Sequence, residues 1–124
     1  MTVLVDSDIL IEVTRAKNAE VVRRWTELSE SQYAVLCSPV SVAELWHGAL
    51  PHEHEVLTNL FDALVCPPID ARTASRAGGL LQQLRKSHGL ELGDALIAAA
   101  VILNDAELWT RNHKHYPMAE ISFF

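Results

Sequence analysis

The stretch Thr-Val-Leu-Val-Asp-Ser-Asp-Ile-Leu-Ile-Glu-Val (residues 2–13) decides the fold class. Its first part, Thr2 to Val5, is a short run of β-branched and aliphatic residues that is typical of a buried strand. The next residues, Asp6-Ser7-Asp8, have side chains that cap helices, and the apolar residues from Ile9 to Val13 suit a short helix. The stretch therefore begins with a strand that leads directly into a helix.

The rest of the chain repeats this alternation, and most of its helices have a clear start or end signal. Asn18 suits the cap of a second helix, Ser38-Pro39 suits the start of a third, and Gly89 suits the end of a long helix that Asp70 begins. Leu92 to Asn104 is apolar on nearly every side, which predicts burial between other layers. The elements expected after the first helix are a helix from Asn18, a strand at 33–37, helices at about 39–50 and 53–64, a short strand at 65–69, helices at about 70–88 and 92–104, and strands at 107–110 and 120–123. This order predicts an α/β fold, a three-layer sandwich with a mostly parallel central sheet flanked by helices, whose function lies at the carboxyl ends of the strands.

Composition and charge narrow the class of function. The chain has 124 residues, 49% of them apolar and 21% charged, which suits one folded domain over residues 1–124 and excludes a wholly disordered protein. Sixteen Asp and Glu against ten Lys and Arg give a net charge of −6. This surplus argues against a protein that holds nucleic acid by bulk positive charge. It leaves open an enzyme that acts on phosphates through a bound metal.

The sequence also favours a cytoplasmic protein. Its first residues lack the basic segment and long apolar run of a signal peptide. The longest uncharged apolar run, Ala95 to Leu103, is nine residues, and a bilayer-spanning helix needs about 20. Cys37 and Cys66 lie in apolar stretches without the spacing of metal ligands, so we expect two buried, reduced thiols.

Three acidic residues stand in otherwise apolar surroundings. Asp6 follows the first strand, Glu44 lies inside the third helix, and Asp94 begins the most apolar helix. Each has an ordinary structural explanation, as a helix cap, a solvent-facing residue or a partner of the helix dipole. Brought together, however, these carboxylates would repel one another unless a cation lay between them. Mg²⁺ prefers such oxygen ligands, and a bound Mg²⁺ can activate a water for attack on a phosphoryl group.

No other catalytic pattern competes with this one. The sequence has no Ser-His-Asp order, no cysteine spacing typical of zinc sites and no glycine-rich phosphate loop. Gly78-Gly79 is an isolated pair inside a helix. The His52/His54 and His113/His115 pairs lie in polar breaks, where we expect them to be solvated.

Four segments resemble the motifs of the PIN-domain family. They are Val-Asp-Ser-Asp-Ile-Leu-Ile (5–11), Ser-Val-Ala-Glu-Leu-Trp-His-Gly-Ala (41–49), Gly-Asp-Ala-Leu-Ile-Ala-Ala-Ala (93–100) and Leu-Trp-Thr-Arg-Asn-His-Lys-His-Tyr-Pro (108–117). In order, spacing and total length they are similar in particular to the VapC-type toxins of prokaryotic toxin–antitoxin modules. The resemblance extends from residue 5 to residue 117, nearly the whole chain.

The resemblance implies a metal-dependent endoribonuclease that hydrolyses RNA phosphodiester bonds with Mg²⁺ or Mn²⁺. Asp6, Glu44 and Asp94 match the first three acids of the family's site, so Asp6 and Asp94 are expected to bind metal and Glu44 to bind metal or orient the attacking water. Asn112 falls where many members have a fourth acid and others an asparagine. Thr110 matches a small hydroxyl residue near the site. These five residues are the expected catalytic set.

Four further polar positions, one in the first motif and three in the fourth, complete the comparison. Asp8 matches a position that is usually polar, and we interpret it as a helix cap or a neighbour of the metal ligands. His115 stands where many relatives have an acid. Arg111 and Lys114 are candidates for a phosphate clamp, with solvated loop residues as the equal alternative.

The resemblance also implies partners: an RNA substrate, a VapB-type antitoxin that covers the acidic groove, and a second copy of the chain in a homodimer. No membrane is implied. The acidic surface should favour an antitoxin with a basic segment. A set of apolar and aromatic positions fits either the core, which we favour, or such an interface: Ile9, Leu10, Val13, Trp25 and Trp46.

Two other functions remain as alternatives. A receiver-type signalling domain has a similar length and an acidic Mg²⁺ pocket, but it needs adjacent acids after its first strand, whereas Asp6 and Asp8 are separated. A non-catalytic PIN-like binding module is suggested only by the uncharged Asn112. Which RNA is cut is not encoded in local motifs, because folded RNA is recognised largely by shape and exposed loops.

Overall fold

The computed structural model describes all residues from 1 to 124 and shows the expected alternation of strands and helices. The elements in chain order are β1 (Thr2–Val5), α1 (Ser7–Arg15), α2 (Ala19–Ser29), β2 (Ala34–Leu36), α3 (Pro39–His47), α4 (His54–Ala63), α5 (Ala71–His88), α6 (Leu92–Leu103) and β3 (Glu107–Trp109), with 3-10 turns at Pro51–Glu53 and His113–His115. None of these helices combines the length and the apolar character needed to cross a membrane.

The three strands form a parallel sheet in the order β2-β1-β3. Leu4 of the central strand lies opposite Leu36 on one side and Leu108 on the other. Because all three strands point the same way, the residues that follow them meet at one edge of the sheet. The backbone N–H of Asp6 donates to the carbonyl oxygen of Trp109 at 2.9 Å, which ties that edge together.

The helix start signals are confirmed. Asp6 accepts a hydrogen bond from the Ser7 N–H at 2.8 Å and so begins α1 immediately after β1. Ser38 accepts from the Val40 N–H at 3.1 Å at the start of α3, ahead of Pro39. The long helix α5 ends at Gly89, whose φ of 65° is the left-handed conformation that glycine adopts without strain.

Two predicted strands do not form. Val65 makes only an isolated bridge to Leu36, because Pro67 and Pro68 lack the N–H groups that a longer ladder would need. Phe123 makes only an isolated bridge to Leu108, since β3 is three residues long and offers few partners. Helix α3 ends at His47 rather than near residue 50, and a 3-10 turn follows at 51–53.

The core lies on both faces of the sheet, which confirms the three-layer sandwich. One face packs against α5 and α6, where Ala95, Ala98 and Ala99 are fully buried and their small size lets the two helices approach closely. The other face packs against α1 to α4, and Ile9 and Leu10 are fully buried there. Burial of such large aliphatic side chains stabilises the fold by about 1.5–3 kcal/mol each.

Three positions that we expected in the core, and one of the two cysteines, are less buried than predicted. Val13 and Trp25 are only partly buried, and Trp46 is 37% exposed. Cys37 is buried as predicted, but the prediction for Cys66 is wrong, because this cysteine is exposed. It follows the isolated bridge at Val65, where the chain leaves the sheet.

Candidate active site

Asp6 is held at the carboxyl edge of the sheet by three hydrogen-bond donors. The residue is 7% exposed. Oδ1 accepts from the backbone N–H of Ser7 at 2.8 Å, and Oδ2 accepts from the hydroxyls of Thr110 and Tyr116, each at 2.9 Å. The donors come from α1, from the residue after β3 and from the segment beyond it. The arrangement therefore fixes this acid from three directions.

Tyr116 connects Asp6 to Asp94. Its hydroxyl, besides donating to Asp6, lies 3.4 Å from Oδ1 of Asp94 in the first turn of α6. Burial, together with the charges of Asp6 and Asp94, raises the pKa of Tyr116, so the phenol stays protonated and acts as a donor. Burial also raises the pKa of Asp94, and the nearby Asp6 charge adds to this effect, while His115 opposes it.

Glu44 joins the same edge through Ser7. The Ser7 hydroxyl lies 3.1 Å from Oε1 of Glu44 and 2.8 Å from the hydroxyl of Ser41. Since the backbone N–H of Ser7 holds Asp6, this one residue connects the first two acids. Glu44 itself is exposed on α3, so its carboxylate faces both Ser7 and solvent.

Asn112 forms no hydrogen bond with Asp6, Glu44 or Asp94; its side chain hydrogen-bonds to Asp8 instead. Its amide donates to Oδ2 of Asp8 at 3.3 Å, beside the backbone N–H of Arg111 at 2.9 Å. Oδ1 of Asp8 accepts from the Ile9 N–H at 2.8 Å. Burial raises the pKa of Asp8, with Asp6 contributing, while the Arg111 hydrogen bond lowers it. Asp8 thus holds the loop of the fourth motif against the start of α1.

The basic residues of this loop have different surroundings. The Arg111 guanidinium lies 3.3 Å from Glu12, so it is paired with an acid of α1. Lys114 and His115 line a recess of about 210 Å³ next to Asp94, together with His88 and Glu91. The His115 Nδ1 atom lies 3.6 Å from Oδ2 of Asp94. Of the two candidates for a phosphate clamp, Lys114 is therefore the one that lies in the recess beside Asp94.

The side chains gathered at this edge carry the kind of oxygen atoms that a hard divalent cation binds. Asp6, Glu44 and Asp94 offer carboxylate oxygens, which Mg²⁺ and Mn²⁺ prefer. The Asp6 charge raises the pKa of both Asp8 and Asp94, and a cation among these acids would relieve that repulsion. No three acidic, imidazole or thiol side chains lie close enough together, as they stand, to hold a metal ion. The acids are instead joined through Ser7 and Tyr116.

Sequence reasoning missed the residues that connect the acids. Ser7 was considered only as a helix cap, and Ser41 and Tyr116 were not singled out at all. Tyr116 is 2% exposed, although a tyrosine in a polar stretch gives no sign of burial. The available signal was its place near the end of the fourth motif (108–117).

Comparisons with known proteins agree with this architecture. The model of the PIN domain matches residues 3–121. Ribonuclease VapC10 of Mycobacterium tuberculosis is 36% identical over 119 residues, which cover 95% of this chain and 88% of that protein. Ribonuclease VapC19 of the same organism is 33% identical over 116 residues, covering 93% of this chain and 92% of the relative.

Solved structures share the fold. A structure of VapBC2 from Rickettsia felis, bound to a DNA fragment from their promoter, matches with a TM-score of 0.85 and 18% identity over 100% of this chain and 98% of that one. A toxin–antitoxin complex from Klebsiella pneumoniae matches with a TM-score of 0.78 and 25% identity, covering 96% and 94% of the two chains.

Proposed function

Because this chain belongs to the PIN-domain family, we propose that it is the toxin of a VapBC-type toxin–antitoxin module, an endoribonuclease that hydrolyses RNA phosphodiester bonds with a divalent metal. The observation that carries this function is the link from Asp6 through the Tyr116 hydroxyl to Asp94, at the carboxyl edge of the sheet. Two related proteins that are at least 33% identical to this chain are named ribonucleases. The family match also sets aside the receiver-type alternative.

Asp6 and Asp94 are the residues that would hold Mg²⁺ or Mn²⁺, with Glu44 as a third ligand or as the group that orients the attacking water. The bound metal would supply a water of lowered pKa and offset charge on the phosphoryl oxygens. The chain's own part is to keep the carboxylates in place: Ser7 and Thr110 fix Asp6, and Ser7 also contacts Glu44.

The loop after β3 supports the site and would face a bound RNA. Thr110 holds Asp6, and Asn112 acts through Asp8, which anchors the loop. Lys114 lies in the recess beside Asp94, where its ammonium group can meet an RNA phosphate. Arg111 is paired with Glu12, so its contribution to phosphate binding is smaller.

The proposed partners are a VapB-type antitoxin and a second copy of this chain. The Rickettsia felis structure is a VapBC assembly, and the Klebsiella pneumoniae structure is a toxin–antitoxin complex. With a net charge of −6, this chain is suited to an antitoxin segment that carries basic residues. Co-expression with the protein encoded next to it should give a stable complex in which RNA cleavage is suppressed. Residues 1–124 would act in it as one domain.

RNA cleavage by matched variants tests the proposal. Asp6→Asn and Asp94→Asn should each abolish Mg²⁺-dependent cleavage of a folded RNA while circular dichroism shows an intact fold. Asp62→Asn, a change of the same kind at an exposed position of α4, should cleave like the wild type. Cleavage that survives in both site variants, or in excess chelator, would refute the metal-dependent mechanism. Wild-type protein that binds Mg²⁺ but cuts no RNA would identify a non-catalytic binding module.

A further inference from the structure

We propose that Tyr116 is a positioning residue whose hydroxyl sets the spacing of Asp6 and Asp94 for a divalent cation, an inference that rests on the proposed function. The hydroxyl lies 2.9 Å from Oδ2 of Asp6 and 3.4 Å from Oδ1 of Asp94. Of the side chains in the site, Tyr116 alone lies within hydrogen-bond distance of both of these acids. It reaches them from a part of the chain that supplies neither.

The position of the hydroxyl is fixed by the core. Tyr116 is 2% exposed and packs in the same apolar cluster as Leu108 of β3 and the buried face of α6. Its backbone N–H donates to the carbonyl oxygen of His113 at 3.0 Å, which closes the 3-10 turn before it. A ring held in this way by sheet, helix and turn cannot swing its hydroxyl from the two carboxylates without disturbing the core.

The Tyr116 hydroxyl lies against one carboxylate oxygen of Asp6 and one of Asp94. The second oxygen of each carboxylate has fewer hydrogen-bond partners. In Asp6, Oδ2 receives both Tyr116 and Thr110, whereas Oδ1 receives only the Ser7 N–H. In Asp94, Oδ1 faces Tyr116, and Oδ2 has only His115 at 3.6 Å. Each carboxylate therefore keeps an oxygen with lone pairs to spare for a cation, while its other oxygen is anchored.

The hydroxyl contributes more than packing. A phenylalanine ring would fill the same apolar space, and a buried hydroxyl costs free energy unless it finds partners. Its only side-chain partners here are the two acids proposed to hold the metal. Hydrogen bonds that orient metal ligands in this way commonly change metal affinity by about 10- to 100-fold when they are removed.

The test compares the chain's two tyrosines, Tyr116 and Tyr33. Mn²⁺ dissociation constants are measured on the full chain by the electron paramagnetic resonance signal of free Mn²⁺. Tyr116→Phe should weaken Mn²⁺ binding by about 10- to 100-fold. Tyr33→Phe should leave it unchanged, because the Tyr33 ring packs edge-on against Phe124, in the core on the other face of the sheet. The Tm in chelator, measured for both variants, checks that each is folded.

A spectroscopic readout separates positioning from packing. With tyrosine labelled at the ring carbon that bears the hydroxyl, two signals are expected, and Tyr116→Phe assigns one of them. Addition of Mg²⁺ should shift the Tyr116 signal and not the Tyr33 signal. If Tyr116 has only a packing role, Tyr116→Phe should leave the Mn²⁺ dissociation constant at its wild-type value, because the phenylalanine ring keeps the packing.

The outcomes distinguish this inference from the function on which it rests. Mn²⁺ binding that is lost in Asp6→Asn and Asp94→Asn but unchanged in Tyr116→Phe overturns the role of Tyr116 and leaves the metal site standing. Binding that is unaffected by both acid variants, or absent from the wild type, overturns the metal site and the role of Tyr116 together.

Discussion

The Thr110 hydroxyl lies 2.9 Å from Oδ2 of Asp6 and joins the ends of β3 and β1 at the edge where the acids gather. Thr110 is 4% exposed, so this bond is shielded from water. The same hydroxyl oxygen accepts from the backbone N–H of Asn112 at 3.1 Å. One side chain therefore both orients the first acid and shapes the loop of the fourth motif.

Replacement of the Thr110 hydroxyl should reduce activity without unfolding the protein. Thr110→Val keeps the shape of the side chain but removes the donor to Asp6, so we expect Mg²⁺-dependent RNA cleavage to fall by about 10- to 100-fold. Thr110→Ser retains the hydroxyl and should recover most of the wild-type rate. Equal rates for the valine and serine variants would mean that the hydroxyl does not matter.

Replacing Asp94, a proposed metal ligand, should stabilise the metal-free protein. The raised pKa of Asp94 shows that the ionised carboxylate is penalised in the fold, by burial first and by the charge of Asp6 as well. In chelator, we expect Asp94→Asn to raise the Tm by roughly 2–5 °C, the shift that about 1 kcal/mol gives for a domain of this size. Added Mg²⁺ should raise the Tm of the wild type and not that of the variant. Asp62→Asn is the control and should behave like the wild type under both conditions.

The Tm difference between Asp94→Asn and the wild type should depend on pH, because the pKa of Asp94 is raised in the fold. A carboxyl whose folded-state pKa lies above its ordinary value of 3.8 binds more protons in the folded than in the unfolded protein at intermediate pH. Its contribution to stability therefore falls as the pH rises through that window. The Tm advantage of Asp94→Asn in chelator should be largest at neutral pH and should shrink as the pH falls toward 3.8, because the folded wild type then takes up a proton on Asp94. An advantage that does not change with pH would contradict this origin.

Much of the fold was predictable because its signals are local. Caps such as Asp6 and Ser38 and the terminator Gly89 act within a few residues of where they stand. The two strands that were predicted but do not form lie at the sheet edges, since whether Val65 or Phe123 continues a ladder depends on partners distant in sequence.

The site was only partly predictable for the same reason. Its acids stand out as charges among apolar residues, but the contacts between them depend on the folded geometry. The Tyr116 hydroxyl meets an acid 110 residues away in sequence. Asn112 was expected in the catalytic set because it stands where many family members have a fourth acid; in the fold its amide faces Asp8.

The two cysteines should differ sharply in reactivity. Burial raises the pKa of the Cys37 thiol to about 12, and the neighbouring Cys66 thiol adds to this, while Cys66 itself is exposed. Because the thiolate is the reactive form, Ellman's reagent at about pH 8 should modify one thiol per native chain and two after denaturation. Cys66→Ser should give almost no reaction in the native state. Rapid reaction of both thiols in the native wild type would show that Cys37 is accessible.

Asn112 provides a test of how charge in the site controls metal affinity. Its amide lies 3.3 Å from Oδ2 of Asp8, whose pKa is already raised by burial and by Asp6. Asn112→Asp would place another negative charge beside these acids, so we expect a lower Tm in chelator and Mn²⁺ binding that is about 10-fold tighter, since ligand charge tunes the affinity of such sites.

The matched control for this change is Asn59→Asp, which alters the net charge equally at an exposed position of α4. It should leave both the Tm in chelator and the Mn²⁺ dissociation constant near their wild-type values. If Asn59→Asp tightened Mn²⁺ binding as much as Asn112→Asp, the effect would come from overall charge rather than from the pocket.

A neutral change, Asn112→Ala, removes one of the contacts that hold Asp8 but leaves the Arg111 N–H in place, so cleavage should fall far less than in Asp94→Asn. Loss of cleavage as complete as in Asp94→Asn would instead assign Asn112 a direct role at the reacting phosphate.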